Sequence, residues 1–183
     1  MPMDQNQIIE AAIDLANEDG WDKASIRNIS KRINYSTIKI YSEFGNKDNL
    51  LSAIQKRGFD ILRQVMISAI ELKDSPEEKF IALNLAYYEF TKTNAAYYSL
   101  MFQMGGTNCP KVDGAILQHT SQPIRALIEE LSGKPITKSL FFNWWALMHG
   151  YVAITQGYAE NNSEEYLLIL QDMIKHFIYA LRT

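Results

Sequence analysis

Residues 25–51, SIRNISKRINYSTIKIYSEFGNKDNLL, carry the strongest structural signal in this chain. It predicts two short helices joined by a tight turn, followed by a second turn from which a long helix starts. Ser25 and Ser36 are favourable N-caps for the two short helices. Asn34 tolerates the left-handed backbone that ends a helix, and Gly45 ends the second helix in the same way. This is the layout of a helix-turn-helix, whose second helix has the size to enter a DNA major groove with its N-terminus first.

The same stretch resembles the N-terminal signature of the tetracycline-repressor (TetR) family of regulators. The resemblance covers residues 5–55, spacing included, and rests on Gly20, Ser25, Ile29, Ser36, Ile40, Tyr41, Phe44, Lys47, Leu50 and Leu51. It implies a DNA-binding regulator that holds a small effector in the rest of the chain. The chain departs from the family pattern at Ile38 and Lys39, where small residues are usual, and at Asn34, which replaces the turn glycine. We expect the turn to be kept, because Asn accepts that backbone, and the usual base contacts to be altered by Ile38.

Composition bounds the class of protein. With 183 residues, 47% of them apolar, the chain is long enough for a DNA-reading module and a larger domain with its own core. The single cysteine, Cys109, excludes an internal disulfide and is typical of a reducing compartment. The first residues lack the basic and apolar segments of a signal peptide, and no run of about 18 apolar residues predicts a membrane span. We therefore expect a cytoplasmic protein with no membrane segment.

The charge distribution favours nucleic acid although the net charge, −3, does not. Residues 23–47 carry a local charge of +5, because Glu43 is the only acid among six basic side chains: Lys23, Arg27, Lys31, Arg32, Lys39 and Lys47. Acidic residues flank this window on both sides. A positive island in an acidic chain is typical of a small phosphate-contacting surface. The alternative is an ordinary solvated face, and the surrounding turn pattern argues against it.

The expected DNA contacts divide into two kinds. Tyr41 and Lys47, with the amide ends at Ser25 and Ser36, are predicted to hold phosphates, which fixes position without reading sequence. Base reading is predicted for Thr37 and Lys39, with Ser42 as a further candidate and Arg27 from the preceding helix. Either Thr37 or Ile38 can touch a thymine methyl group. The alternative for Tyr41 is a core aromatic. The predicted DNA-binding residues are Ser25, Arg27, Ser36, Thr37, Lys39, Tyr41 and Lys47.

The rest of the chain predicts only helices. Besides the two short helices, the periodicity, caps and breakers predict helices over 4–19, 47–72, 76–93, 95–103, 112–132, 137–160 and 164–181, with a loop at 104–112. No alternating strand pattern occurs. We expect an all-α protein of about nine helices. Residues 1–50 would form a three-helix helix-turn-helix DNA-binding domain, and residues 51–183 a larger helical bundle for ligand binding and dimerisation.

A second resemblance concerns the larger domain. The segment Trp145-Ala-Leu-Met-His149-Gly150, with Asn94–Phe102 upstream, resembles a C-terminal regulatory domain named for a Trp-His-Gly signature, which occurs behind TetR-type modules. Ala95 stands where that family usually has a proline. The aromatic-rich domain predicts an apolar cavity for a small effector, and the candidate lining residues are Tyr87, Phe90, Met101, Phe102, Trp145, Met148 and His149. The alternative for each of them is plain core.

The last two helices are the candidates for dimerisation. The final helix is apolar over more than one face, at Leu167, Leu168, Leu170, Ile174, Phe177, Ile178 and Leu181. The alternative is that both faces are covered within one subunit. Because one short helix-turn-helix contacts few bases, we expect a homodimer on a near-palindromic DNA operator.

Enzyme chemistry finds little support. His119, His149 and His176 lack metal-ligand spacing, and Cys109 has no neighbouring base to activate it. We expect no metal, no cofactor and no catalytic residue. The predicted function is a ligand-responsive transcriptional regulator, a repressor released by a small apolar or aromatic effector. Two alternatives stay open: a helical binding or interaction protein that has lost specific DNA binding, and a small helical enzyme.

Overall fold

The computed structural model describes residues 4–103, 111–158 and 163–182. In these ranges the chain forms helices and no strands, which confirms the predicted all-α fold. The nine helices described there are α1 Gln5–Asp19, α2 Ile26–Arg32, α3 Thr37–Phe44, α4 Lys47–Ile70, α5 Pro76–Thr93, α6 Ala95–Met101, α7 Gly114–Ser132, α8 Lys138–Tyr158 and α9 Ser163–Leu181.

Most predicted helix ends lie within two residues of those observed. α4 ends at Ile70 rather than at residue 72, and α6 ends at Met101 rather than at residue 103. α7 starts at Gly114 because the Asp113 carboxylate accepts the Ala115 amide at 2.9 Å and so caps the helix. Most of the predicted loop at 104–112, with Cys109, and most of the predicted turn at 161–163 lie outside the described residues.

The chain divides into two compact units. Unit 1 contains Met1–Asp60 and Asn94–Leu117, and unit 2 contains Ile61–Thr93 and Gln118–Thr183. The single helix α4 therefore contributes its first part to unit 1 and its second part to unit 2. These units are defined by packing, so the functional boundary between residues 50 and 51 stays a prediction.

In unit 1, α6 packs with the N-terminal helices although it is far from them in sequence. The Trp21 indole nitrogen donates to the Ala96 carbonyl at 3.0 Å and lies 3.1 Å from the Ser99 hydroxyl. Gln55 on α4 donates to the Leu100 carbonyl at 3.2 Å. A methyl group on the backbone of Gly58 would lie 2.6 Å from the Met101 sulfur, so only glycine allows α4 and α6 this close approach.

In unit 2, α5 packs against both α8 and α9. The rings of Phe80 and Phe177 stack with centroids 5.9 Å apart, and Phe80 is fully buried. α7 contains Pro123, which cannot donate a backbone hydrogen bond to the carbonyl of His119 four residues earlier. Arg63 Nε donates to that carbonyl instead, at 3.3 Å.

Candidate nucleic-acid interface

The corner between α2 and α3 is held by local hydrogen bonds. The Ser25 hydroxyl accepts the Asn28 amide at 3.2 Å, and the Ser36 hydroxyl accepts the Lys39 amide at 3.3 Å. Asn34 lies in the left-handed region with φ of 49°, as its position in the turn predicts. These caps fix where each short helix begins, and therefore which side chains each presents.

α3 has a buried face and an exposed face. Ile40 and Phe44 are buried, so they set the orientation of the helix. Thr37 is half-buried, Lys39 is exposed, and Tyr41 is 47% exposed and therefore is not a core aromatic. The exposed face is thus available to a macromolecule, while the DNA-binding role of each side chain stays a prediction.

Contacts within unit 1 restrain several polar groups of α3. The Lys39 ammonium lies 5.0 Å from the centre of the Tyr35 ring, a cation–π distance. The Ser42 hydroxyl donates to the Lys39 carbonyl at 2.7 Å. Glu43 accepts from the Gln5 side chain of α1, both at its backbone carbonyl (3.3 Å) and at its carboxylate (3.4 Å). These contacts reduce the set of groups that can turn freely toward DNA.

One of the six basic side chains in the positive window is paired. Both terminal nitrogens of Arg32 bond the carboxylate of Glu18 on α1, one of them at 2.7 Å. The hydrogen bond from Arg32 holds the pKa of Glu18 below its ordinary value. Arg27 and Lys47 are exposed. The charge of +5 for residues 23–47 included Arg32 as a side chain available to phosphate. In the structure, the carboxylate of Glu18 on α1 offsets the charge of Arg32.

Lys47 stands at a favourable place for an anion. It is the first residue of α4, where Asn46 caps the helix by accepting the Asn49 amide at 2.8 Å. The amide groups and the dipole of a helix N-terminus favour a phosphate. This supports the predicted phosphate role, although Asp48 in the same turn offsets part of the charge.

Three of the predicted effector residues meet in unit 2. The Tyr87 hydroxyl lies 3.4 Å from His149 Nε2, and the rings of Trp145 and His149 lie with centroids 5.4 Å apart. Burial lowers the pKa of His149 from 6.5 to about 4, so the imidazole is neutral at pH 7. Beside this group, buried Trp144 donates to buried Asn84 at 2.7 Å, a contact that sequence spacing did not reveal.

The other four predicted effector residues are placed differently. Phe90 and Met148 are buried in unit 2. Met101 and Phe102 belong to unit 1, where the Phe102 ring packs edge-on against Phe59 with centroids 5.6 Å apart. The seven residues are therefore divided between the two units, and their ligand role stays a prediction.

Unit 2 also contains a cleft that the sequence did not predict. Its volume is about 450 Å³, and none of the seven predicted effector residues lines it. The end of α4, the start of α5 and the middle of α7 form its walls, with Ile67, Ile70, Lys73, Lys79, Pro123 and Glu130 among the lining residues. Within the described ranges no three His, Cys, Asp or Glu side chains lie close enough to hold a metal ion. No helix there is long and apolar enough to cross a membrane.

Comparisons with known proteins agree with this geometry. Residues 8–54 match the family described as bacterial regulatory proteins, tetR family. The chain is 26% identical over 191 residues to the HTH-type transcriptional regulator HbdR of Aromatoleum sp. strain CIB, covering 93% of this chain and 80% of that protein.

Solved structures show the fold over nearly the whole chain. A protein of unknown function from Rhodococcus sp. RHA1 superposes with a TM-score of 0.80 at 20% identity, covering 98% of this chain and 95% of that one. A TetR family transcription regulator from Marinobacter aquaeolei VT8 gives a TM-score of 0.72 at 13% identity, with 94% of each chain covered. The structures show the fold, and the family match over residues 8–54 confirms the predicted TetR-type helix-turn-helix domain of a DNA-binding transcriptional regulator.

Proposed function

We propose that this chain, whose residues 8–54 form a TetR-family helix-turn-helix domain, represses transcription as a homodimer on a near-palindromic operator and is released by a small effector. One observation carries this proposal. α3 buries Ile40 and Phe44 on one face. Lys39 and Tyr41, outside that face, are exposed. That is the arrangement a reading helix needs to enter a major groove.

The exposed apolar residues of α8 and α9 support dimerisation. Ile154 on α8 and Leu168 and Tyr179 on α9 are each at least 60% exposed. Gly150 lies inside α8, yet a methyl group added to it would meet no atom of the described residues within 4 Å, apart from its chain neighbours and its own helix backbone. A glycine in the middle of a helix lowers stability by about 1 kcal/mol relative to alanine. No close contact among the described residues explains why glycine stands at this position. The close approach of a second copy would account for it.

The proposed effector site is the cluster of Tyr87, Trp145 and His149 in unit 2. Aromatic faces and one neutral imidazole suit a small apolar or aromatic molecule that offers a hydrogen-bonding group. The segment that contains Trp145 and His149 also resembles the Trp-His-Gly type of regulatory domain, which supports an effector site here. Release requires that the effector bind the DNA-competent and DNA-incompetent arrangements with different affinities. The helix α4, which is continuous between the two units, is the proposed link.

The main alternative is a helical small-molecule-binding or interaction protein that has lost specific DNA binding. The exposed apolar side chain of Ile38 on the reading helix is the observation that favours it.

An operator-binding role would place the protein in the cytoplasm.

A salt titration on random duplex DNA separates these functions. A regulator loses affinity steeply as salt rises, with a slope of log K against log salt of about −0.9 for each phosphate neutralised. Selection of bound fragments from genomic DNA should then return near-palindromic sites, with half-sites about 10 base pairs apart if both heads bind one face of the duplex. Absence of measurable binding at low salt would refute the proposal and leave the binding-protein alternative.

A further inference from the structure

The most exposed part of α3 is defined by its buried residues. Successive residues of an α-helix are rotated by about 100°. Ile40 and Phe44 are buried, so the side chains pointing most directly away from the core are those of Ile38, Lys39 and Ser42. Thr37 is half-buried and lies nearer to the buried face. Any base edge that α3 approaches therefore meets these three outward side chains first.

Two of the three outward side chains are engaged with the protein itself. The Ser42 hydroxyl directs its proton to the Lys39 carbonyl at 2.7 Å. The Lys39 ammonium is attracted to the Tyr35 ring, 5.0 Å away, on the side of the turn. Ile38 is the second residue of α3 and is 79% exposed.

The chemistry of an isoleucine limits what it can recognise. It offers no hydrogen-bond donor or acceptor, so it cannot distinguish bases by the pattern of polar groups in the major groove. The only apolar group that a standard base presents there is the C5 methyl of thymine. An exposed aliphatic side chain at the N-terminal turn of a reading helix is suited to that methyl.

We propose that Ile38 is a specificity-determining residue that reads the C5 methyl group of a thymine in each operator half-site. This inference rests on the proposed operator binding. Exposure alone does not carry it, because single exposed apolar side chains are common in soluble proteins and Leu72, beyond the end of α4, is 90% exposed. The position on the outward face of α3, together with the engagement of its polar neighbours, distinguishes Ile38.

The test replaces each thymine of a selected duplex, one at a time, by deoxyuridine. This change keeps every hydrogen-bonding group of the base and removes only the methyl. With the full-length wild-type chain, binding measured by fluorescence anisotropy should weaken about fourfold at one or more thymines in each half-site, the value of one buried methyl-sized group. With Ile38→Ala, the same replacements should leave affinity unchanged.

Two control variants assign the effect. Leu72→Ala removes an exposed aliphatic side chain elsewhere and should keep the wild-type response to deoxyuridine. Thr37→Ser tests the competing candidate by removing its methyl group. A deoxyuridine response that persists in Thr37→Ser and is lost in Ile38→Ala assigns the methyl contact to Ile38. Two results would overturn the inference while operator binding still stands. In the first, the wild-type protein binds equally well with deoxyuridine at every thymine. In the second, the response to deoxyuridine is lost in Thr37→Ser and kept in Ile38→Ala. If no duplex can be selected, the proposed function fails and this inference fails with it.

Discussion

In the corner between α2 and α3, polar groups find partners three residues away along the chain, whereas between α5 and α8 they find them across 60 residues. The Ser25 and Ser36 hydroxyls cap helices at the surface of unit 1. In unit 2, fully buried Asn84 joins the Phe80 carbonyl of its own helix to the Trp144 indole of α8. The first kind of contact follows from local sequence, and the second exists only when two distant helices pack.

The difference has an energetic consequence. A lost cap leaves an amide that water can still reach, so it costs about 1 kcal/mol. A lost buried partner leaves a polar group that water cannot reach, so it costs the full desolvation penalty. Unit 2 should therefore be more sensitive to single polar substitutions than the corner between α2 and α3.

The largest expected effect comes from Asn84→Leu, which removes the partner of the Trp144 indole within the core. Stability should fall by about 2–4 kcal/mol, because a buried donor is left unpaired and two hydrogen bonds are lost. Urea unfolding would measure this loss. Asn143→Ala, at an exposed position of α8, is the control and should change stability by less than about 0.5 kcal/mol.

A double variant sharpens the same test. Asn84→Leu combined with Trp144→Phe removes both members of the buried pair, so the combined loss should be smaller than the sum of the two single losses. Strict additivity would show that the contact contributes nothing to stability, and the contrast between the two regions would lose its basis.

The next effect tests whether unit 1 also depends on distant contacts. Gly58→Ala should destabilise the chain by about 1–2 kcal/mol, because overpacking against Met101 and Tyr97 outweighs the gain in helix propensity. Thermal and urea unfolding would measure it. Gly114→Ala is the control and should be neutral or slightly stabilising, because among the described residues an added methyl meets no atom within 4 Å beyond its chain neighbours and its own helix backbone. Equal stability of both variants would mean that Met101 moves aside at little cost.

A pH titration examines the buried imidazole of unit 2. The pKa of His149 is about 4 in the folded chain and 6.5 ordinarily, so between these values the unfolded chain binds more protons. The stability is therefore fully present above pH 6.5 and is lost as the pH falls toward 4. After discounting for partial exposure, we expect His149 to account for about 1 kcal/mol of this loss at pH 5.

Variants assign that pH dependence. Unfolding midpoints between pH 7.5 and 5 should vary less in His149→Gln than in wild type. His119→Gln changes an exposed histidine and should keep the wild-type profile. An unchanged profile in His149→Gln would contradict the assignment.

Lys47→Ala, at the surface of unit 1, should have the smallest effect on the free energy of unfolding. It should nevertheless have a clear effect on DNA binding. Affinity for all DNA sequences should fall, and the slope of log K against log salt should become shallower by about one unit, because one phosphate contact is removed. Anisotropy titrations at several salt concentrations would measure both. Lys56→Ala, an exposed lysine farther along α4, should leave the slope unchanged; a shallower slope there as well would point to a diffuse charge effect.

Particular residues show which parts of the structure the sequence could predict. Gly20, Asn34 and Gly45 all adopt positive φ where the sequence predicted helix ends. Asp4 and Gln7 form a capping box at the start of α1. These features are local, because a cap or a left-handed residue needs only its neighbours within about four positions.

Other features could not be predicted, because they join residues that are distant in sequence. The pairing of Glu18 with Arg32 changes the charge available to DNA, and the bond from Trp21 to the Ala96 carbonyl ties α6 to unit 1. The periodicity of α5 marked Tyr87 and Phe90 as apolar positions, but it gave no sign that Asn84 would be buried with a partner on α8.

Local sequence accounts for the helices, their caps and the helix-turn-helix corner, because short-range sterics and hydrogen bonding set these features within a few residues. The positive charge of residues 23–47 is read directly from the sequence. Tertiary packing decided which polar groups are buried with partners and which basic side chains are paired. It also decided which side chains of α3 face away from the core. Those outcomes depend on contacts across tens of residues, where the free energy of packing selects among many pairings that the local sequence allows equally.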